Sequence, residues 1–371
     1  MASFRTSVAV ALLFCFSESV SAATHKHTYS VPAAVQSGPS ASQLVYSSSL
    51  GLEAPKISTV SNTSFDWWYF DAVSSNPEDF SSVTVVFYTA NSNSFPFLPT
   101  MDTVTPVQIS GSFPNGTLWG GAEFVGASGA SVSISAEGHS ANGVWHDTGF
   151  SWSASSASEY HISVDSATLG IKGTISFKAV APSHLPCGKV ENGTTMLLGG
   201  QIGWAISVSD SDALVELRIG GEQLKFQGLG YHDKNWANIP FTTHVQSWYW
   251  GHARVGPYSI VWFDMLDLNN TEHVSAYVSR GDEILVGSCN PGTIQVRPQP
   301  MAYPPTLSTP DPTGYQISIP SEKMQVTVSG LVPLIGANPE YVRFFGNLTA
   351  VVDGGEVYHG TGLMEQFKLT A

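Results

Sequence analysis

The chain has 371 residues, 42% of them hydrophobic and only 12% charged, with a formal net charge of −14 at pH 7. That length suffices for about two domains with cores of their own, and the acidic balance excludes nucleic acid and anionic membrane surfaces as electrostatic partners. Few charges beside many aromatic, Gly and Ser residues suit short strands joined by turns.

Residues 1–22 read as a secretory leader, with Arg5, an apolar core over 8–16, and small residues Ser21, Ala22 and Ala23 for cleavage. This core is shorter than the roughly 20 residues of a membrane span. No stable membrane insertion is expected, and the protein is expected in the secretory pathway lumen or outside the cell. Cys15 leaves with the leader; in an oxidising compartment the remaining pair, Cys187 and Cys289, is expected to form one disulfide. Five N-x-S/T sequons, at Asn62, Asn115, Asn192, Asn269 and Asn347, are expected glycosylation sites on surface turns. Residues 23–64 read as a Ser-, Ala- and Pro-rich arm draped over the surface. Within it His25 and His27 lack a third ligand at a metal-site spacing, so no metal is expected.

From Phe65 on, short alternating runs broken by Gly, Pro, Asn and Asp predict strands at 82–89, 107–113, 131–137, 160–165, 170–180 and 202–209. A hairpin is expected over 214–219 and 223–231, turning at Gly220-Gly221. Further strands are expected at 245–255, 258–268, 274–279, 283–289, 293–297, 316–319, 324–328, 342–351 and 356–367. The Pro-rich stretch 297–312 reads as a long loop or lid. No helix has a sustained amphipathic period. The pattern is all-β, divided into residues 65–238 and 239–371, with Cys187–Cys289 joining the two units.

Chemistry concentrates in Tyr231-His232-Asp233-Lys234-Asn235-Trp236. In an extended chain, period two sends Tyr231, Asp233 and Asn235 to one face and His232, Lys234 and Trp236 to the other. Buried polar groups without partners cost roughly 1–3 kcal/mol each, so the run is either a satisfied network or a working site. Its partner is the aromatic-acidic run Phe65-Asp66-Trp67-Trp68-Tyr69-Phe70-Asp71. Asp66 with Lys234 is one candidate structural pair.

Together, in this order, these runs resemble the signature of the hydroxyneurosporene synthase (carotenoid hydratase) family of paired lipocalin-like domains. Gly360-Thr361-Gly362-Leu363-Met364-Glu365 resembles the closing strand of fungal members. Those members include Diels-Alderases that close decalin rings and secreted hetero-Diels-Alderases that join tropolone quinone methides to sesquiterpenes. The resemblance implies two lipocalin-like antiparallel β-sandwich or β-barrel domains, with an apolar pocket between them or at the mouth of one. Hydratase chemistry transfers poorly, because Lys234 stands where the family has a second His. Trp262-Phe263-Asp264 has Trp where the family has Tyr, leaving Asp264 as a possible proton donor.

A cycloaddition needs a shaped cavity and a donor that polarises a carbonyl, and no cofactor is expected. Candidate donors are Arg343, Lys234, His252, Tyr231 and Asp264. Tyr341, Arg343 and Phe345 share one strand face, and a guanidinium between aromatics suits a tropolone-like pair of oxygens. Candidate walls are Trp67, Tyr69, Trp248, Trp250, Trp262, Phe344 and Phe345. The resemblance points to a hetero-Diels-Alder reaction between polyketide-derived and terpene substrates. An intramolecular decalin-forming Diels-Alderase, a non-catalytic carrier of an apolar ligand and an isoprenoid hydratase remain alternatives.

Overall fold

The computed structural model describes residues 27–119, 123–135, 138–300 and 302–371. The leader, His25 and the last two residues of the strand expected at 131–137 lie outside them.

All strand pairings are antiparallel. A 15-stranded sheet uses residues 27–237, and a nine-stranded sheet uses residues 247–368. Each curls around its own apolar interior, and the two pack through a third apolar layer that they share. Phe65–Ser74 shows why: all ten residues are buried. Trp68, Phe70 and Ala72 face the first sheet's interior with Trp145, Trp152 and Phe177. Phe65, Trp67, Tyr69 and Val73 face the shared layer with Trp204, Tyr231, Trp248, Trp250 and Phe263. Tyr249, Trp262, Phe344 and Met364 belong to the second sheet's own interior. A strand covered on both faces loses the polar alternation of a half-exposed one, which accounts for the four successive aromatics Trp67, Trp68, Tyr69 and Phe70.

The expected strands are present, but two of them are one, and several short strands were not expected, among them His27–Val31 and Glu123–Gly126. The runs at 202–209 and 214–219 are a single strand, Ile202–Ile219, and the following strand, Glu222–Ala237, carries the Tyr231–Trp236 run in extended form. Ser209-Asp210-Ser211-Asp212 has turn composition, but register shifts in this stretch keep the strand continuous past it. Asp210 is instead held from the second sheet by both Arg254 Nε and Nη2 at 2.8 Å and by Ser259 Oγ at 2.6 Å. The strands Ala141–Trp145 and Phe150–Ser156, also not expected from the sequence, join Ala130–Ile134 to Glu159–Ser166 within the first sheet.

Residues 27–50 of the arm are mostly exposed or half-buried, whereas most of its other described residues turn inward. Glu53, Ala54 and Lys56 are buried, and the Glu53 carboxylate accepts hydrogen bonds from Tyr160, Ser207 and His232 inside the first sheet. Cys187 and Cys289 form the expected disulfide, across a sequence separation of 102, and so link the two sheets. Four sequon asparagines are exposed in loops or turns. Asn347 instead lies within the strand Tyr341–Val352, paired to Ser329 and Thr361, with its Oδ1 buried.

Candidate functional site

Strand register assembles two facing rows of side chains. In the first sheet Tyr69 lies opposite both Val86 and Asp233, and Trp67 opposite both Tyr88 and Asn235. In the second sheet Glu365 lies between Trp250 and Arg343, and Phe367 between Trp248 and Tyr341. Directly opposed residues in a sheet are side-chain neighbours, so each row is contiguous. Between the rows is a cavity of about 270 Å³, closed on its flanks by Phe95, Phe97, Phe124 and Ile335.

The apolar part of this wall is close-packed. Trp67 lies 4.9 Å from Phe95, and Trp248 the same distance from Phe367. The polar part is unevenly satisfied. Glu365 accepts bonds from Tyr341 Oη at 2.8 Å and Trp248 Nε1 at 3.2 Å, whereas Arg343 Nη2 approaches it only to 3.4 Å. Burial raises the pKa of Glu365 against the opposing effect of Arg343. Arg343 Nε, Tyr69 Oη and Trp250 Nε1 are buried donors that make no hydrogen bond of good geometry among the described residues. They form one group, since the Arg343 guanidinium lies 5.1 Å from the Tyr69 ring and Trp250 meets Tyr69 edge-on at 5.4 Å. A buried donor left unpaired costs its desolvation, and all three belong to residues that line one cavity.

Asp233 stands beside Tyr69 in the first sheet's row. Trp204 Nε1 donates to its Oδ2 at 2.7 Å and Tyr231 Oη at 2.9 Å. Burial raises its pKa to about 7, outweighing the two hydrogen bonds, and no ion pair reaches it among the described residues.

Of the residues expected from sequence, Trp67, Tyr69, Trp248, Trp250 and Arg343 line the cavity. Tyr231 sits behind it, holding Asp233. His252 shares a face with Trp248 and Trp250 as expected, but it lies beyond the cavity, bonded through Nε2 to both Asp71 oxygens and stacked on Tyr231 at 4.6 Å. Phe345 packs beside the cavity, 5.6 Å from Phe80.

Four expected residues face away. Lys234 points into the first sheet, 2.7 Å from Asp66 Oδ1 and over the Trp68 ring, because its neighbour Asp233 takes the cavity face. Phe344 alternates away from Arg343 in the same manner. Trp262 lies on the second sheet's inner face, against Gly251, where a Cβ would collide with its ring. Asp264 also faces that interior, with Arg297 Nη1 and Val296 N each 3.0 Å from Oδ2. The Pro-rich stretch expected as a lid covers this interior instead, through Arg297 and Tyr303. Sequence reasoning missed Asp233 and Glu365 as cavity residues; the signal available was period two within motifs already singled out.

The chain matches the Diels-Alderase-like family over residues 33–293. It is similar to the quinolone epoxide rearrangement protein asqO of Emericella nidulans, at 32% identity over 85% of this chain and 87% of the relative. The quinolone epoxide rearrangement protein penF of Penicillium thymicola is 34% identical over 85% of this chain and 89% of the relative. In fold it is similar to the crystal structure of CghA with Sch210972, with a TM-score of 0.71 at 16% identity, covering 93% of this chain and 99% of that one.

Proposed function

Because this chain belongs to the Diels-Alderase-like family, we propose that it binds an apolar, oxygen-bearing substrate between its sheets and promotes ring formation or rearrangement by donating to that oxygen. The observation that carries this reading is the trio of unpartnered donors, Arg343 Nε, Tyr69 Oη and Trp250 Nε1, on neighbouring residues that line an aromatic cavity. Preorganised donors in a water-poor site stabilise charge as it develops on an oxygen. The aromatic walls hold the reacting carbons in one pose, which supplies both rate and stereochemistry.

In the first specific reading the reaction is an intermolecular hetero-Diels-Alder cycloaddition of a tropolone-type quinone methide with a sesquiterpene olefin. Arg343 polarises the heterodiene oxygens, and Trp67, Trp248 and Phe367 present one face of the olefin. A second reading is supported by Asp233 and by the names of the two relatives: acid-assisted rearrangement of an epoxide. Here the donor trio steadies the oxygen while a carboxylic acid assists the opening of the C–O bond.

The test is incubation of the purified protein with a quinone methide precursor and humulene, followed by chiral chromatography against a protein-free control. One enantiomer of an adduct is expected; identical mixtures in both tubes reject the cycloaddition. Arg343→Lys keeps the charge but loses the planar fork. It is expected to lower product formation at least about tenfold, equivalent to about 1.4 kcal/mol of transition-state stabilisation, with an unchanged circular dichroism spectrum.

A further inference from the structure

We propose that Asp233 is the proton donor of the cavity, delivering its proton to a substrate oxygen from Oδ1. The inference rests on the epoxide-rearrangement reading and adds the residue and the atom that carry the proton.

The geometry is directional. Trp204 Nε1 and Tyr231 Oη both donate to Oδ2. In a neutral carboxylic acid, the oxygen that accepts two hydrogen bonds is the carbonyl oxygen, so the acidic hydrogen is held on the other one. The residue lines the cavity, and its opposed neighbour across the strand pair is Tyr69, one of the three unpartnered donors. Both supporting donors are rigid: Trp204 packs edge-on against Phe263 at 4.9 Å, and Tyr231 stacks on His252. The two basic residues next to Asp233 in sequence are both turned to the other sheet face, Lys234 paired with Asp66 and His232 bonded to Glu53. Burial favours the neutral acid and holds its pKa at about 7, within the range where a general acid works best near neutral pH.

The proton balance closes without a co-reactant. The Asp233 O–H bond breaks as an O–H bond forms on the epoxide oxygen, and the adjacent C–O bond opens with its electron pair going to oxygen. A hydride or carbon group then migrates with its pair to the electron-poor carbon. The protonated carbonyl so formed returns its proton to the Asp233 carboxylate. The net change is isomerisation.

The test uses α-methylstyrene oxide as probe, with binding followed by quenching of tryptophan fluorescence and 2-phenylpropanal followed by chromatography. Asp233→Asn keeps an acceptor for Trp204 and Tyr231 and leaves an N–H donor towards the cavity, but it cannot release a proton. The expected result is that the variant binds the probe as wild type does and isomerises it about 10²–10⁴-fold more slowly. The infrared difference between wild type and variant at pH 6 is expected to contain the carbonyl stretch of a neutral carboxylic acid, which separates Asp233 from Asp264 and Glu365, whose pKa values burial also raises. A variant within about threefold of wild-type turnover, or a difference spectrum without that band, overturns the assignment and leaves the rearrangement reading standing. Wild type that fails to bind the probe, or binds it without isomerising it, overturns both. Should the variant not fold, Tyr231→Phe takes its place: loss of the bond to Oδ2 is expected to shift the neutral-acid carbonyl stretch to higher frequency, and an unshifted band overturns the assignment.

Discussion

Glu53 ties the chain's start to the inside of the first sheet, through Tyr160, Ser207 and His232, and its backbone carbonyl accepts from Trp68 Nε1 at 3.0 Å. Burial raises its pKa, but the charge and hydrogen bond of His232, with help from Ser207, overcome this and lower it to about 2. A carboxylate whose folded pKa lies below its unfolded value contributes stability that is present above the unfolded pKa and lost as pH falls through the folded one. The window is therefore from about 4.5 down to about 2. Glu53→Gln leaves buried groups without their charged partner and is expected to cost about 3–5 kcal/mol at pH 7. Urea titrations should show that difference shrinking as the pH is lowered through the window. At this scale the sequence was legible wherever period two operated, as in the separation of Asp233 and Asn235 from His232 and Lys234. It was illegible for Glu53, because nothing local marks a single acid in a Ser- and Pro-rich stretch as the partner of a histidine so far along the chain.

The strand Tyr341–Val352 shows what an element with two buried faces contributes. Arg343 and Phe345 look into the shared layer, and Phe344 looks into the second sheet with Tyr315 and Met364. Phe344→Ala and Phe367→Ala each remove a buried ring and are expected to cost about 3–5 kcal/mol. Only Phe367 lines the cavity, so only its replacement should change product stereochemistry, a comparison made by chiral chromatography on both variants. The sequence revealed these strands and their alternation. It did not reveal which face was which, since a strand wrapped on both sides is apolar throughout. That ambiguity put Trp262 and Phe344 at the site, and the family resemblance put Asp264 there, although each belongs to the second sheet's interior. Ser209 to Asp212 failed for another reason: turn composition was overruled by Arg254 and Ser259, residues of the other sheet.

For the whole molecule, the two sheets are joined by the disulfide, by the Arg254–Asp210 pair and by the aromatic layer. In the chain-entropy account, closing a loop of about 100 residues contributes roughly 4.7 kcal/mol. Replacing Cys187 and Cys289 together with Ser is expected to remove stabilisation of that order. Calorimetry is expected to show one transition in wild type and two in the variant, as the sheets begin to melt separately.

The cavity walls come from both sheets, so a bound substrate is also a strut between them. Each favourable contact it makes with Trp67 on one side and Phe367 on the other becomes cohesion of the molecule, growing with ligand occupancy. Loading fastens the halves and product departure loosens them, which makes the turnover cycle a cycle of mechanical stiffness as well as of chemistry. A substrate too small to span the gap would touch one wall and leave that cohesion unrealised, so the width of the gap is itself a gauge of substrate size.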